Sequence, residues 1–215
     1  MYTKYMASPD ASQAPKPESY GRFVHLHTHS HYSLLQALPK TKALVKAAID
    51  RGMPALALTD AGNMYGTIDF YKECQKQGIK PIIGVDFYVA VRTRHDKEPR
   101  IDNRRSRLVM LAKNQDGYKN LIKLVTTSSI EGFYYKPRID KELIEKHKEG
   151  LIVISPSFSG DIAQALKANN HENAKVIADF YKTHFGDDFY LEVTHHPEVE
   201  DHQETMIKVV EFAKK

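Results

Sequence analysis

Apolar positions along the chain switch between two periods. From Arg22 onward, short runs of strand length alternate with stretches whose apolar residues recur every three or four positions, as on an amphipathic helix. Arg22–His29 reads as a first strand. Lys40–Arg51 follows as a helix, with Leu44, Val45, Ala48 and Ile49 on its apolar stripe and Gly52 as its stop. Pro54–Thr59 is nearly continuous apolar, as in a strand covered on both faces. A helix over Met64–Gln77 ends at Gly78. Lys80–Val91 and Leu108–Ala112 supply a third and fourth strand, Gln115–Ser128 a helix, Glu131–Arg138 an aromatic loop, and Lys141–Lys148 a short helix closed by Gly150. Leu151–Ser155 is the fifth strand. Helices near Asp161–Ala168 and Glu172–His184, a strand over Phe189–Thr194 and a helix from about His202 complete the series. This alternation predicts an α/β fold, a parallel sheet under helical cover that is either open or closed into a barrel. Residues 1–21, with three prolines, predict a flexible extension ahead of one domain over 22–215. The last helix (Met206, Ile207, Val209, Val210, Ala213) lacks a following strand, which predicts a domain incomplete at its carboxyl end.

A hydrophobic fraction of 41% and a charged fraction of 27% suit a globular protein. No apolar run approaches the roughly 20 residues that span a bilayer, so no membrane partner is expected. The amino terminus lacks an apolar signal core, and the sole cysteine, Cys74, suits a reducing compartment; a cytoplasmic location is expected. The net charge of +4 is unevenly placed: Arg92–Arg107 holds seven Lys/Arg against three Asp/Glu, a local balance that equals the whole excess. Such a loop could track DNA phosphates. No aromatic residue interleaves it as a base-stacking platform would require, which favours a solvated, mobile hairpin.

The chemistry collects elsewhere. His25, His27, His29 and His31 alternate, and a strand's period of two puts all four imidazoles on one face. Same-face neighbours lie roughly 6.6–6.8 Å apart, close enough to lean together on one metal ion. The plainer alternative is a polar strand with solvated histidines. In closed βα barrels the working residues sit at the carboxyl ends of strands. Those ends are His27 and His29, Thr59-Asp60-Ala61, Val85-Asp86, Ser155-Pro156-Ser157 and Thr194-His195-His196. Asp60, followed by Gly62-Asn63, also suits a turn and helix cap. Asp86 lies in an apolar strand, where a carboxylate needs a cation or a set of donors. Ser155 and Ser157 do not form a nucleophile elbow. His195 and His196 point to opposite sides, so at most one faces a site.

Several tracts carry a family likeness: Phe23–Ser30, Tyr32–Leu35, Gly52–Asp60, Phe70–Lys72, Gly78–Gly84, Gly117–Leu121, Gly132–Asp140 and Glu149–Ile152. In order along residues 22–215, they resemble the amino-terminal PHP (polymerase and histidinol phosphatase) domain of bacterial DNA polymerase III alpha subunits. The resemblance implies a distorted (β/α)7 PHP-type barrel, here ending before its last strand, with up to three metal ions at its carboxyl face. His27 and His29 match the leading pair, and Asp86 stands where glutamate is usual. Ala61 and Arg107 replace expected histidines, Gln36 an aspartate and Ser157 a cysteine. The expectation is a degenerate metal site of His27, His29 and Asp86, with zinc or manganese as its ion and Arg107 able to pair with Asp86 in a metal's place. The implied function is a structural and interaction module, without catalytic residues of its own, in a magnesium-dependent DNA-directed DNA polymerase. Implied partners are the polymerase thumb, a proofreading exonuclease subunit, and DNA, met through the parent protein or the Arg92–Arg107 loop. The alternative is an active metal-dependent phosphoesterase (a 3′–5′ exonuclease or pyrophosphatase), with Asp60 and Asp86 as its catalytic candidates. The polymerase-type tracts weigh against a third reading, a free-standing small-molecule phosphatase.

Overall fold

The computed structural model describes residues 23–214, so the predicted extension over 1–21 lies outside the described residues. Within them the apolar runs form β1 (Ala55–Leu58), β2 (Lys80–Ala90), β3 (Arg105–Ala112), β4 (Arg138–Ile139), β5 (Leu151–Ser155) and β6 (Phe189–Leu191). The helices are α1 (Thr41–Asp50), α2 (Thr67–Gln77), α3 (Gln115–Ile130), α4 (Lys141–Lys146), α5 (Asp161–Lys167), α6 (His171–Phe185) and α7 (His202–Ala213). Most predicted elements recur within a few residues. β4 falls at the end of the predicted aromatic loop, and β6 stops three residues short of the predicted Thr194.

The sheet runs β1-β2-β3-β5-β6, with β4 beside the end of β2. β1 and β4 lie parallel to β2, and β6 parallel to β5, but β3 is antiparallel to both β2 and β5. The expected all-parallel sheet therefore fails at β3. The connection over 91–104 contains no helix to carry the chain back across the sheet, so it returns as a hairpin. β2 pairs with β1 through Ile83 and with β3 from Gly84 onward. A Cβ on Gly84 would stand 2.5 Å from Leu111 Cδ2 and 2.7 Å from the Met110 carbonyl oxygen, so glycine permits the close approach at this handover.

The first segment is not a regular strand. Ala57 N–H donates to His25 O at 2.9 Å and Thr59 N–H to Thr28 O at 2.8 Å. A two-residue step on β1 is thus matched by a three-residue step opposite, a bulge with its bend at Leu26–His27. The extra residue breaks the period of two, so the expected face of four histidines does not form. His25 packs edge-on against Phe23 and His31 tilts over Tyr32, while His27 and His29 stay together with ring centres 5.2 Å apart.

Alternation along the β2–β3 hairpin sorts its two faces. Val85, Phe87, Val89, Leu108 and Met110 join the helix-covered core with Leu121, Leu124, Ile144, Leu166 and Tyr181. Each buried Leu or Phe side chain contributes about 1.5–3 kcal/mol. Val45, Ala48, Phe70 and Cys74 of α1 and α2 cover Leu56 and Leu58 of β1. On the opposite face, Ala57, Val109, Leu111 and Ile154 form a small inner cluster. Asp86, Tyr88, Arg105 and Arg107 share the face of Val109, because residues two apart on a strand, and residues directly opposite across it, point the same way.

The basic stretch departs from the expected mobile hairpin. Arg94, 8% exposed, bonds Glu131 at 2.7 Å, Asp140 at 3.1 Å and Glu142 at 2.9 Å. Arg92 donates from Nε to the buried Asp102 at 3.0 Å. Arg138, fully buried, donates to the carbonyl oxygens of Arg94, Asp96, Asp102 and Gly132 at 2.9–3.0 Å. The loop is riveted from inside, and Arg92, Arg94 and Arg107 are each committed to an internal carboxylate.

Candidate functional site

Asp86 sits on β2 where the chain after β1 meets it. Its N–H donates to Asp60 O at 3.2 Å and its carbonyl accepts from Gly62 N at 2.9 Å, which fixes the backbone on both sides. The carboxylate is 2% exposed. His27 Nε2 donates to Oδ2 at 3.2 Å and His29 Nε2 to the same oxygen at 3.0 Å. Arg107 Nε donates to Oδ1 at 2.9 Å, and its Nη2 contacts Oδ2. Arg107 stands directly across from Tyr88, one same-face step from Asp86, and its own N–H is held by Ser159 O at 2.8 Å. The antiparallel return of β3 therefore delivers a guanidinium to this carboxylate.

A second acid closes the group. Glu192 follows β6 directly, and its Oε1 accepts from His27 Nδ1 at 2.9 Å. Its Oε2 accepts from the Ser157 N–H at 3.0 Å. Sequence reasoning missed Glu192 because the predicted strand ran on to Thr194, hiding an acid that stands at a true strand end. With both ring nitrogens on carboxylate oxygens, His27 must carry two protons. Burial opposes that charge, but the hydrogen bonds and negative charges of Asp86 and Glu192 outweigh it and raise His27 to about 9. Burial alone would push both acids up; instead, the bonds from His27, His29 and Arg107 hold Asp86 well below the usual carboxylate range, and those from His27 and Ser157 lower Glu192.

His27, His29 and Asp86 offer one ligand atom each, all within 4.8 Å of one another. Among the described residues the remaining sequence candidates put no side chain on Asp86, although Ser157 joins the group through Glu192. Asp60, 1% exposed, accepts from Ser30 N and Ser30 Oγ at 2.7 Å and from Ser33 Oγ at 2.6 Å, so it pins the histidine segment to β1. Ser157 Oγ contacts Thr194 Oγ1 at 2.8 Å, and Ser155 Oγ is buried without a partner; among the described residues neither hydroxyl meets an imidazole. His195 and His196 are exposed and bond Gln203 and Glu198. Gln36 donates to the Tyr88 hydroxyl at 2.9 Å, and Ala61 N–H to Ser33 Oγ at 3.0 Å.

A helix-covered, mixed α/β sheet that gathers histidines and carboxylates at its strand ends is the architecture that frames this site. Residues 25–196 match the PHP domain, and the chain belongs to that family. It is 47% identical over 176 residues to the DNA polymerase III subunit alpha of Borreliella burgdorferi and 46% identical over 176 residues to that of Treponema pallidum. Each comparison covers 81% of this chain and 15% of the relative, so the chain spans a small part of the proteins it matches. Among solved structures, a protein described as a metal-dependent phosphoesterase from Bifidobacterium adolescentis superposes with a TM-score of 0.52 at 12% identity, covering 88% of this chain and 84% of that one. An amidohydrolase from Chromobacterium violaceum gives 0.52 at 14% identity, covering 88% and 81%. At such identities these structures speak to the fold alone.

Proposed function

We propose that this domain is a structural and interaction module at the amino end of a replicative DNA polymerase, its hydrolytic centre replaced by an internal ion network. The observation that carries this reading is the Arg107 guanidinium on both oxygens of Asp86, including the oxygen that both imidazoles reach. A divalent ion bound to that oxygen and the two Nε2 atoms would stand about 2.0–2.1 Å from each. At roughly 4 Å from the guanidinium, a double and a single positive charge repel by about 8 kcal/mol at an effective dielectric near 20. The residues present do not fit a metal ion. They balance without one: His27 and Arg107 supply two positive charges against Asp86 and Glu192.

Nucleotide transfer, with its magnesium, then belongs to other parts of a parent polymerase, and the thumb and a proofreading exonuclease subunit are the partners proposed. The relatives' name and 41–47% identity support this reading. Its test is elemental analysis of the purified protein. Well under one equivalent of zinc, manganese or iron per chain is expected; one or more, lost in His27→Ala/His29→Ala, would overturn it.

One feature favours a second reading, a metal-dependent phosphoesterase. Glu192 orients His27 through Nδ1, the way carboxylates orient metal-bound imidazoles. That reading requires Arg107 to leave Asp86. Metal-dependent release of nucleotides from labelled single-stranded DNA, absent in His27→Ala/His29→Ala, would support it.

A further inference from the structure

We propose that the aromatic pocket beside Tyr88 binds single-stranded nucleic acid, seating one base among its rings with the flanking phosphate on Arg105 and Lys136. The pocket has a volume of about 350 Å³ and is walled by Tyr32, Tyr65, Tyr88, Phe133 and Tyr135, with Lys136 at its edge. That volume lies at the lower end for small-ligand sites and is too small for a docked helix. The basic stretch has no stacking residues of its own, but the fold brings them from four other segments, Tyr32 coming from the turn before α1. Tyr65 follows β1, Tyr88 lies on β2, and Phe133 and Tyr135 come from the loop before β4. Gly62, at φ +67°, leaves room for this assembly: a Cβ there would meet Pro137 Cγ at 3.0 Å and the Tyr88 ring at 3.2 Å.

The cations converge on one ring. Arg107, Arg105 and Lys136 lie 4.2, 5.6 and 5.7 Å from the Tyr88 ring centre. Arg107 is committed to Asp86. Arg105 donates to the Asn103 carbonyl, and neither it nor Lys136 has a carboxylate partner among the described residues, so both can meet a phosphate. Of the neighbouring acids, Asp86 is paired with Arg107, Asp60 is buried behind its bonds to Ser30 and Ser33, and Asp69 accepts from the Tyr32 hydroxyl at 3.4 Å. Tyr134 N–H donates to Lys136 O at 3.1 Å, closing a tight turn that holds Tyr135 at φ 59°. A left-handed tyrosine is a strained conformation, and here it keeps a ring 69% exposed at the pocket. Phe133 and Tyr65 are also exposed. A nucleotide brings a flat π-face and a charged group in one unit, which is the pairing these rings and cations offer.

The test is fluorescence anisotropy of a labelled oligothymidylate of about ten nucleotides against the 215-residue chain at low salt. Saturable binding is expected. Phe133→Ala and Tyr135→Ala should each weaken it about tenfold, from the loss of stacking, while Tyr135→Phe retains it. Lys136→Ala should reduce the steepness of the log K against log salt plot by about 0.7. Thermal midpoints should be unchanged in the aromatic variants, because both side chains are exposed. Absence of binding overturns the proposal. So does binding that the Phe133→Ala/Tyr135→Ala double variant leaves intact, including the case where that variant instead loses a protein contact. Neither result bears on whether a metal occupies the Asp86 site, which elemental analysis decides separately.

Discussion

Arg107→Ala removes the guanidinium from a carboxylate that is 2% exposed. Breaking a buried ion pair from one side costs about 3–5 kcal/mol, because the remaining charge stays buried. The lower end applies here, since His27 and His29 still donate to Oδ2. The cation–π contact with Tyr88, at 4.2 Å, adds up to about 1 kcal/mol. A loss of about 3–4 kcal/mol is expected, which lowers Tm by about 6–16 °C in a domain of this size. Urea denaturation in chelated buffer of wild type, Arg107→Ala, Asp86→Asn and the double variant would isolate the coupling between the two side chains. If the arginine stands in for an ion, added zinc should leave wild-type Tm unmoved and raise that of Arg107→Ala by several degrees. The reasoning is refuted if Arg107→Ala is as stable as wild type, or if chelation alone lowers wild-type Tm.

Stability should be greatest between about pH 4.5 and 6.5. His27 is raised from 6.5 to about 9, so its contribution is complete below 6.5 and fades as pH rises towards 9; the lowered Asp86 and Glu192 lose theirs as pH falls below their ordinary values of 3.8 and 4.5. Urea midpoints across pH 3–10 would check this, and Glu192→Gln should pull the alkaline limb to lower pH. Asp60→Ala should cost about 2–4 kcal/mol, because three buried donors from Ser30 and Ser33 lose their acceptor, and thermal melts would show it. Arg138→Lys should also destabilise, by about 2 kcal/mol or more, since an ammonium cannot span four carbonyl oxygens as the guanidinium does; limited proteolysis should then cut within 91–104, where wild type resists.

Much of the fold was legible because it rests on local patterns. Gly78 ends α2 in the left-handed conformation its position suggested, and the runs at Ala55–Leu58 and Leu151–Ser155 became buried strands. What sequence hid was non-local. A strand's direction depends on whether its connection packs a helix, and the basic content of 91–104 resembles a solvated turn until Asp102, Glu131 and Asp140 are brought beneath it. The period of two predicted four aligned histidines; a one-residue bulge, invisible in composition, parted His25 from the pair, and the turn at 31–32 took His31 away. Asp86 was legible from the cost of burying a carboxylate in an apolar strand. Glu192 was not, because its importance depends on where β6 stops.

On the proposed reading, the pieces kept at this site account for a cluster that is stable without an ion. Glu192 orients His27, and His27 and His29 both aim Nε2 at one carboxylate oxygen, the directional arrangement that an ion at this point would use. In that reading the charge an ion would bring is divided between two side chains. Arg107 supplies one unit from β3, and the second proton on His27 supplies the other, so Asp86 and Glu192 are compensated by covalently attached groups. Binding a divalent ion would require His27 to release a proton and Arg107 to withdraw, at the cost of two buried pairs. The two arrangements therefore exclude each other, and on the proposed reading the position of one guanidinium is what would separate an interaction module from a hydrolase.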